Sequence, residues 1–325
     1  MGSVHVPVLL HEIVEHLLNG SGRSLRAADR ESDSGQMPWF LDGTLGGAGH
    51  TKAMIDATSG RINVIGLDRD AAAIERAGRE LSGIFDRQAD GGPAPKLILE
   101  NENFRNLDTV LSRHGVPGVD MILFDLGMSS DELEHSGKGF SFLADEPLLM
   151  TLGDPATYQF TARDIVNDWA EDVIANIIYG YGQERYARRI TRAIVRYRLK
   201  KKIETSGELS EIIRSAVPGF YRRLKIHPAT KTFQALRIAV NDELQALREG
   251  LAKGYGTLNA GGRMAVISFH SLEDRIVKDF YKEHADTDTI LTGKPITASA
   301  SEVAANPRSR SAKLRIIEKN NHHIE

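Results

Sequence analysis

The chain has 325 residues, 41% of them hydrophobic and 26% charged, with a formal net charge of −3 and no cysteine. That length suits one large α/β domain with a sizeable core plus a smaller one, and the missing thiols exclude disulfides, thiolate metal sites and a cysteine nucleophile. No apolar run approaches the ~18 residues that span a bilayer, and the N-terminus lacks the basic, apolar, small-residue order of a signal peptide, so a cytoplasmic protein without membrane contact is expected.

From Trp39 onward short apolar runs alternate with helical patterns, the signature of βαβ units in a parallel sheet. Strands are expected at residues 39–42, 62–68, 96–100 and 121–125, with helices starting near Gly49, Ala71 and Arg105. Residues 20–38 and 86–95, rich in Gly, Ser, Asp and Pro, read as solvated loops. After Gly127 the strand rhythm stops, and the pattern is helical to about His227, with helices around residues 172–179, 185–200 and 208–216. Phe233, Leu236, Val240, Leu244, Leu247 and Leu251 recur at spacings of three and four, which predicts one long helix. Strands return at residues 263–269 and 314–318. The expectation is a discontinuous sheet-bearing core, 1–130 and 229–325, around a helical insert, 131–228.

The first strand runs into Asp42-Gly43-Thr44-Leu45-Gly46-Gly47-Ala48-Gly49-His50. Glycines there allow a tight turn and close approach of a ligand, and the following helix start offers free N–H groups; the alternative is a tight turn without a ligand. The spacing is not G-x-G-x-x-G, which counts against a nicotinamide dinucleotide. Asp68 ends the second strand, where an acid accepts hydrogen bonds from both ribose hydroxyls or caps the next helix. Asn103 and Phe104 follow the third strand, and Phe104 either stacks on a base or belongs to the core. Asp125-Leu126-Gly127-Met128-Ser129-Ser130 ends the fourth strand. A carboxylate beside a backbone carbonyl on a rigid strand end can hold the hydrogens of an exocyclic amino group and align its lone pair for attack on a methyl group; the alternative is that Asp125 and Ser129 cap a turn.

His270 ends a later apolar strand, in Ser268-Phe269-His270-Ser271-Leu272-Glu273-Asp274, where Ser271 and the acid three residues on suggest a helix cap; His270 either faces a substrate or is structural. Between Glu184 and Glu204 lie Arg185, Arg188, Arg189, Arg192, Arg196, Arg198, Lys200, Lys201 and Lys202 with no acid among them. Such segregation makes a local positive face on a mildly acidic protein, suited to phosphates or simply to solvent. Residues 306–315, with Arg308, Arg310, Lys313 and Arg315, form a second basic segment, read as a loop. His322 and His323 have no acid or third histidine at metal-ligand spacing, and no metal site is expected.

Taken together, these segments resemble the bacterial cytosine-N4 small-subunit rRNA methyltransferases, the H-type or MraW family. The resemblance runs nearly end to end, through His5-Val6-Pro7-Val8-Leu9-Leu10-His11-Glu12, residues 42–50, Gly66-Leu67-Asp68-Arg69-Asp70, Asn103-Phe104, residues 124–130, Gly139-Phe140-Ser141-Phe142, and residues 227–244, 268–278 and 306–315. It implies a class I S-adenosylmethionine-dependent methyltransferase, an α/β Rossmann-like sheet with a helical inserted subdomain for substrate recognition. It also implies S-adenosylmethionine contacts at Ala48, Gly49, His50, Asp68, Phe104, Asp125 and Glu132, with Asp125 catalytic, and a cytidine of 16S rRNA in the decoding region near the P site of the small ribosomal subunit as target. His270, Arg308, Arg310 and Lys313 are the candidate substrate contacts. Two departures from the family pattern stand out. Glu132 replaces an expected glutamine or histidine, and Asp145-Glu146-Pro147-Leu148-Leu149-Met150-Thr151-Leu152-Gly153-Asp154 lacks an aspartate and an arginine. Rival readings are an RNA-binding ribosome assembly factor that has lost catalysis, a DNA amino-methyltransferase and a dehydrogenase. The oligomeric state is not derivable from the sequence, and a homodimer is compatible with it.

Overall fold

The computed structural model describes residues 7–20, 23–24, 37–85, 94–128 and 136–321. Glu132, Ser129, the tail histidines and most of the two expected loops lie outside them. The described residues fall into two compact units, Met1–Gly127 with Leu244–Glu325, and Met128–Glu243.

The first unit is built on seven strands: β1 (Trp39–Asp42), β2 (Asn63–Asp68), β3 (Leu97–Asn101), β4 (Val119–Leu126), β5 (Leu258–Ser268), β6 (Thr289–Ile290) and β7 (Lys313–Glu318). Their order across the sheet is β3-β2-β1-β4-β5-β7-β6, with β1 to β5 parallel and β7 antiparallel to both neighbours. This is the sheet that the resemblance implies. Parallel strands covered on both faces are apolar throughout rather than alternating, which is why Val64, Ile65 and Leu67 of β2 and Met121, Ile122, Leu123 and Phe124 of β4 are all buried. One face packs with Leu10–Leu18 (α1) and Gly49–Ala57 (α2), through Ile13, Leu17, Met54 and Ile55. The other packs with Leu107–Arg113 (α4), through Leu107, Val110 and Leu111, and with the long helix that precedes β5. Ala71–Phe85 (α3) joins β2 to β3.

The second unit is helical: Ala162–Asp168 (α5), Glu171–Gly182 (α6), Ala187–Arg198 (α7), Ser206–Ala216 (α8) and Thr230–Asn241 (α9). Thr161 and Asp164 form a reciprocal capping box at α5, and Thr205 caps α8, each satisfying N–H groups a helix start leaves open. Ile174, Ile178, Ile190, Ile194, Leu209, Ile213, Phe233, Leu236 and Val240 form one core. Phe142 of the Gly139-Phe140-Ser141-Phe142 segment stacks on His227 at 4.4 Å and meets the edge of Phe233 at 5.4 Å. The departing stretch after it is part of this core. Leu148 and Met150 are buried, Glu146 accepts from Gly139 N–H at 2.9 Å, and Asn241 clamps Met150 and Leu152.

Two expectations need correction here. The single long helix is broken at Asp242, whose φ of 50° is left-handed, into α9 and Glu243–Thr257 (α10). The helical unit accordingly runs to Glu243 instead of ending at residue 228. The apolar spacing continues through the break because Phe233, Leu236 and Val240 fill the helical core while Leu247 and Leu251 fill the sheet unit's core. Periodicity alone does not register a single residue of positive φ.

β5 and β7 are also tied by a buried ion pair, Arg263 Nε to Glu318 Oε2 at 2.6 Å, and the same guanidinium donates to the carbonyl of His16 at the end of α1. Removing one member leaves the other charge buried without compensation. Arg263→Met is expected to lower unfolding stability by about 3–5 kcal/mol in urea titration; an unchanged midpoint would show that the pair does not hold this edge of the sheet.

Candidate active site

The chain leaves β1 at Asp42 and turns at once. Gly43 N–H donates to the Leu123 carbonyl and Leu45 N–H to the Leu67 carbonyl, both at 2.9 Å, stitching the turn to β4 and β2. A Cβ on Gly43 would lie 2.5 Å from the Phe124 ring, so only glycine lets the loop lie this close. Gly46 and Ala48 are left-handed, at φ 48° and 55°, and together they swing the backbone into α2. The N–H groups of Gly49 and His50, in the first turn of α2, have no intrahelical acceptor.

Three carboxylates end the strands around this loop. Asp42 is buried, with Oδ2 accepting from Thr51 Oγ1 at 2.7 Å and Oδ1 from Thr44 N–H at 3.2 Å. Burial pushes it up to about 6, against the pull of Thr51 and His50. Asp68 Oδ2 accepts from Gly46 N–H at 2.7 Å and Oδ1 from Asp70 N–H at 2.8 Å, and burial raises this group too. Asp68 does not cap α3; Asp70 does, accepting from Ala72 N–H at 3.1 Å. Asp68 instead joins the end of β2 to the glycine loop.

Asp125 at the end of β4 is held through its backbone, whose N–H donates to Thr44 Oγ1 at 2.6 Å. Its side chain is 17% exposed, its Oδ2 lies 3.8 Å from His50 Nδ1, and its buried Oδ1 has no hydrogen-bond partner among the described residues. Desolvation first, and then the nearby Glu273 carboxylate, push Asp125 up to about 7. A carboxylate in this state serves as an acceptor and exchanges protons near neutrality. Ser129 and the turn that Asp125 would cap in the alternative reading lie outside the described residues.

The remaining sequence candidates divide. Phe104 opens a 3-10 turn capped by Asn103, and its ring packs on Phe124 at 4.8 Å while staying half-buried, so it serves the core and keeps accessible surface. His270 is the N-cap of Ser271–Glu283 (α11), one residue before the expected Ser271. Its Nδ1 accepts from Glu273 N–H at 3.4 Å, and Glu273 Oε2 in return accepts from the N–H groups of Phe269 and His270. The sequence reading missed Thr44, Thr51 and Glu273; the last sits at the third position of a capping box, and that signal was available one residue off.

The expected basic loop is a 3-10 turn, Pro307–Ser311, followed by β7. Lys313 and Arg315 both pair with Asp274, at 2.8 and 2.7 Å, and Arg315 is buried, so the two cations share one carboxylate and this part of the segment is only half neutralised. Arg310 is exposed. In the helical unit, α7 buries Ala187, Ile190, Thr191 and Ile194 and exposes Arg188, Arg189, Arg192 and Arg196. Among the described residues no acid pairs with these four arginines. Arg185 lies over the rings of Tyr186, Tyr221 and Phe220 at 4.8, 5.2 and 5.6 Å.

A model of the MraW methylase family matches residues 2–320. The chain belongs to this family. Three similar proteins carry the name ribosomal RNA small subunit methyltransferase H. The one from Deinococcus radiodurans is 47% identical over 97% of this chain and 89% of its own length. Those from Heliobacterium modesticaldum and Geobacter sulfurreducens are 42% and 44% identical over 97% of this chain and 98% of theirs. As a MraW methylase, the chain is a class I methyltransferase that uses S-adenosylmethionine. The site fits that cofactor. Its three carboxylates suit a cationic ligand rich in hydroxyl groups, and the partnerless Asp125 Oδ1 awaits a donor or a positive charge.

Because Asp125 holds its proton far more tightly folded than unfolded, the stability it contributes is complete below about pH 4 and is lost as pH climbs past about 7. Asp125→Asn in the cofactor-free protein is expected to melt like wild type near pH 3.5 and to be more stable at pH 8, by up to roughly 4 kcal/mol. Equal stability at both pH values would mean that burial does not perturb this carboxylate.

Proposed function

We infer that this methyltransferase modifies N4 of a cytidine in the decoding, P-site region of 16S rRNA, acting on the small ribosomal subunit. The observation that carries the reading is Asp125, a buried acceptor with an unused oxygen at the end of β4 beside the glycine loop. The names of the similar proteins support the ribosomal substrate.

S-adenosylmethionine, when bound, supplies an electrophilic methyl group on a positively charged sulfur. The N–H groups of Gly49 and His50 would meet its anionic end, with Ala48 shaping the turn through its own N–H bond to the Leu45 carbonyl; Asp68 would accept from the ribose hydroxyls on its remaining lone pairs, and Phe104 would offer an apolar face to the adenine. A cytosine amino nitrogen is a weak nucleophile because its lone pair is delocalised into the ring. The Asp125 carboxylate accepts an amino N–H, turns the lone pair toward the methyl carbon and stabilises the positive charge that develops on nitrogen. The base must leave any stack to reach it. In this reading the exposed arginines of α7 and Arg310, with Arg308, hold phosphates. Lys313 contributes less, being paired with Asp274, and His270 acts by fixing Glu273. No helix of the described residues is long and apolar enough to cross a membrane.

Small subunits lacking the modification, incubated with labelled cofactor and then digested, are expected to yield N4-methylcytidine, and Asp125→Ala to yield none while still binding RNA. Cofactor binding by wild type without labelled RNA would replace this reading with that of a non-catalytic assembly factor, and activity on duplex DNA with that of a DNA enzyme. Replacing Arg189, Arg192 and Arg196 with Ala is expected to weaken RNA binding and to flatten the dependence of log affinity on log salt by roughly 2 to 3. An unchanged salt slope would remove α7 from the RNA surface.

A further inference from the structure

His50 is buried between two fixed contacts. On one side Nε2 lies 2.9 Å from the Val8 carbonyl oxygen, and because a carbonyl only accepts, Nε2 carries a proton in every state of the ring. On the other side Nδ1 faces Asp125 Oδ2 at 3.8 Å. In the neutral ring Nδ1 is therefore a bare lone pair, and a lone pair aimed at an ionised carboxylate in a buried site is repelled. The arrangement is stable with one proton between the two residues, either on the Asp125 carboxyl or on Nδ1 as imidazolium.

The other titratable groups around the pair are acidic. Asp42, at the end of β1, acts on the ring, and Glu273, from α11, acts on Asp125. Burial lowers the basicity of His50 and raises that of Asp125, so in the free enzyme the proton rests on the carboxyl. A carboxyl in that state donates where the reaction needs an acceptor.

We propose that His50 is a positioning residue for methyl transfer: its Nδ1 takes the proton of the Asp125 carboxyl as the substrate amino group arrives, so that Asp125 meets this group as a carboxylate. The proposal rests on the role given to Asp125 above. In the first step the O–H bond of Asp125 breaks and the Nδ1–H bond forms, turning two neutral groups into an imidazolium and a carboxylate with no net change of charge. The carboxylate then accepts an amino N–H. As the N–CH3 bond forms and the S–CH3 bond breaks, with its electrons staying on sulfur, the nitrogen becomes positive and gives one proton to Asp125. The imidazolium proton leaves to solvent and the pair returns to its starting state, having released the one proton that each methyl transfer produces.

His50→Gln is the decisive variant, because a glutamine N–H can still reach the Val8 carbonyl but the side chain takes up no proton, and the backbone N–H of residue 50 is untouched. Its cofactor affinity is expected to stay within about threefold of wild type. Its single-turnover rate on unmodified small subunits is expected to fall on the order of 10-fold at pH 6, where a carboxyl raised to about 7 holds its proton in about nine molecules of ten, and to recover to within a few-fold at pH 9, where Asp125 ionises directly to solvent. A loss of the same factor at every pH, or none at all, overturns the proposal.

Nitrogen NMR of the His50 ring covers a variant that does not fold. Wild type at pH 7 is expected to show Nε2 protonated and Nδ1 bare, with an inflection of the Nδ1 signal as the neighbouring Asp125 ionises near pH 7, and Asp125→Asn to lose that inflection. Identical titrations overturn the coupling. A wild type that methylates no RNA while its His50 titration still responds to Asp125→Asn would place the failure in the ribosomal substrate reading and leave the proton pair standing.

Discussion

A carboxylate buried at the end of a parallel strand, with one oxygen left without a partner among the described residues, sets the terms for the whole site. Burial of this kind favours the neutral form, so every group near Asp125 either fixes its position or shifts its proton. Thr44 takes the Asp125 backbone N–H and so locks the glycine loop to β4, 81 residues away in sequence. Asp42, two residues before Thr44, is itself tied to the loop by Thr44 N–H and to α2 by Thr51. The loop is thus anchored at its start and tied to the helix that follows it, which is what allows left-handed residues at Gly46 and Ala48 to persist. Glu273 adds a further negative charge near Asp125, and its own position depends on the capping box with His270. A residue pair that the sequence marks as a helix start therefore adjusts the acidity of Asp125.

The parts legible in the sequence were those dictated by local pattern. Strands β1, β2 and β4 are covered on both faces and read as apolar runs, and Asp42, Asp68 and Asp125 are visible because an acid ending such a run has few structural reasons to be there. Partners across the fold were not legible. Nothing local connects Thr44 with Asp125, or Lys313 and Arg315 with Asp274, because strand register and helix docking create these contacts. The basic segment near the end was misread as a flexible loop for the same reason: alternate residues of β7, Lys313 and Arg315, both reach Asp274 of α11, and charges that look free in sequence are paired in space. The break at Asp242 escaped notice because one apolar stripe serves two different cores, and a count of spacings is blind to the change of core along it.

The net charge of −3 hides a separation of charges with chemical consequences. In the sheet unit, Arg105, Arg113, Arg263, Lys313 and Arg315 all face acids, while the carboxylates that end β1, β2 and β4 are left facing the glycine loop. In the helical unit Arg163, Lys201, Arg214 and Arg237 are also paired with acids, but four arginines of α7 have no acidic partner among the described residues. An acidic pocket attracts a cationic cofactor but repels phosphates, and a row of unpaired arginines does the opposite. Each unit taken by itself is thus suited to a different ligand, the carboxylates of the sheet unit to a cation and the α7 face of the helical unit to an anion.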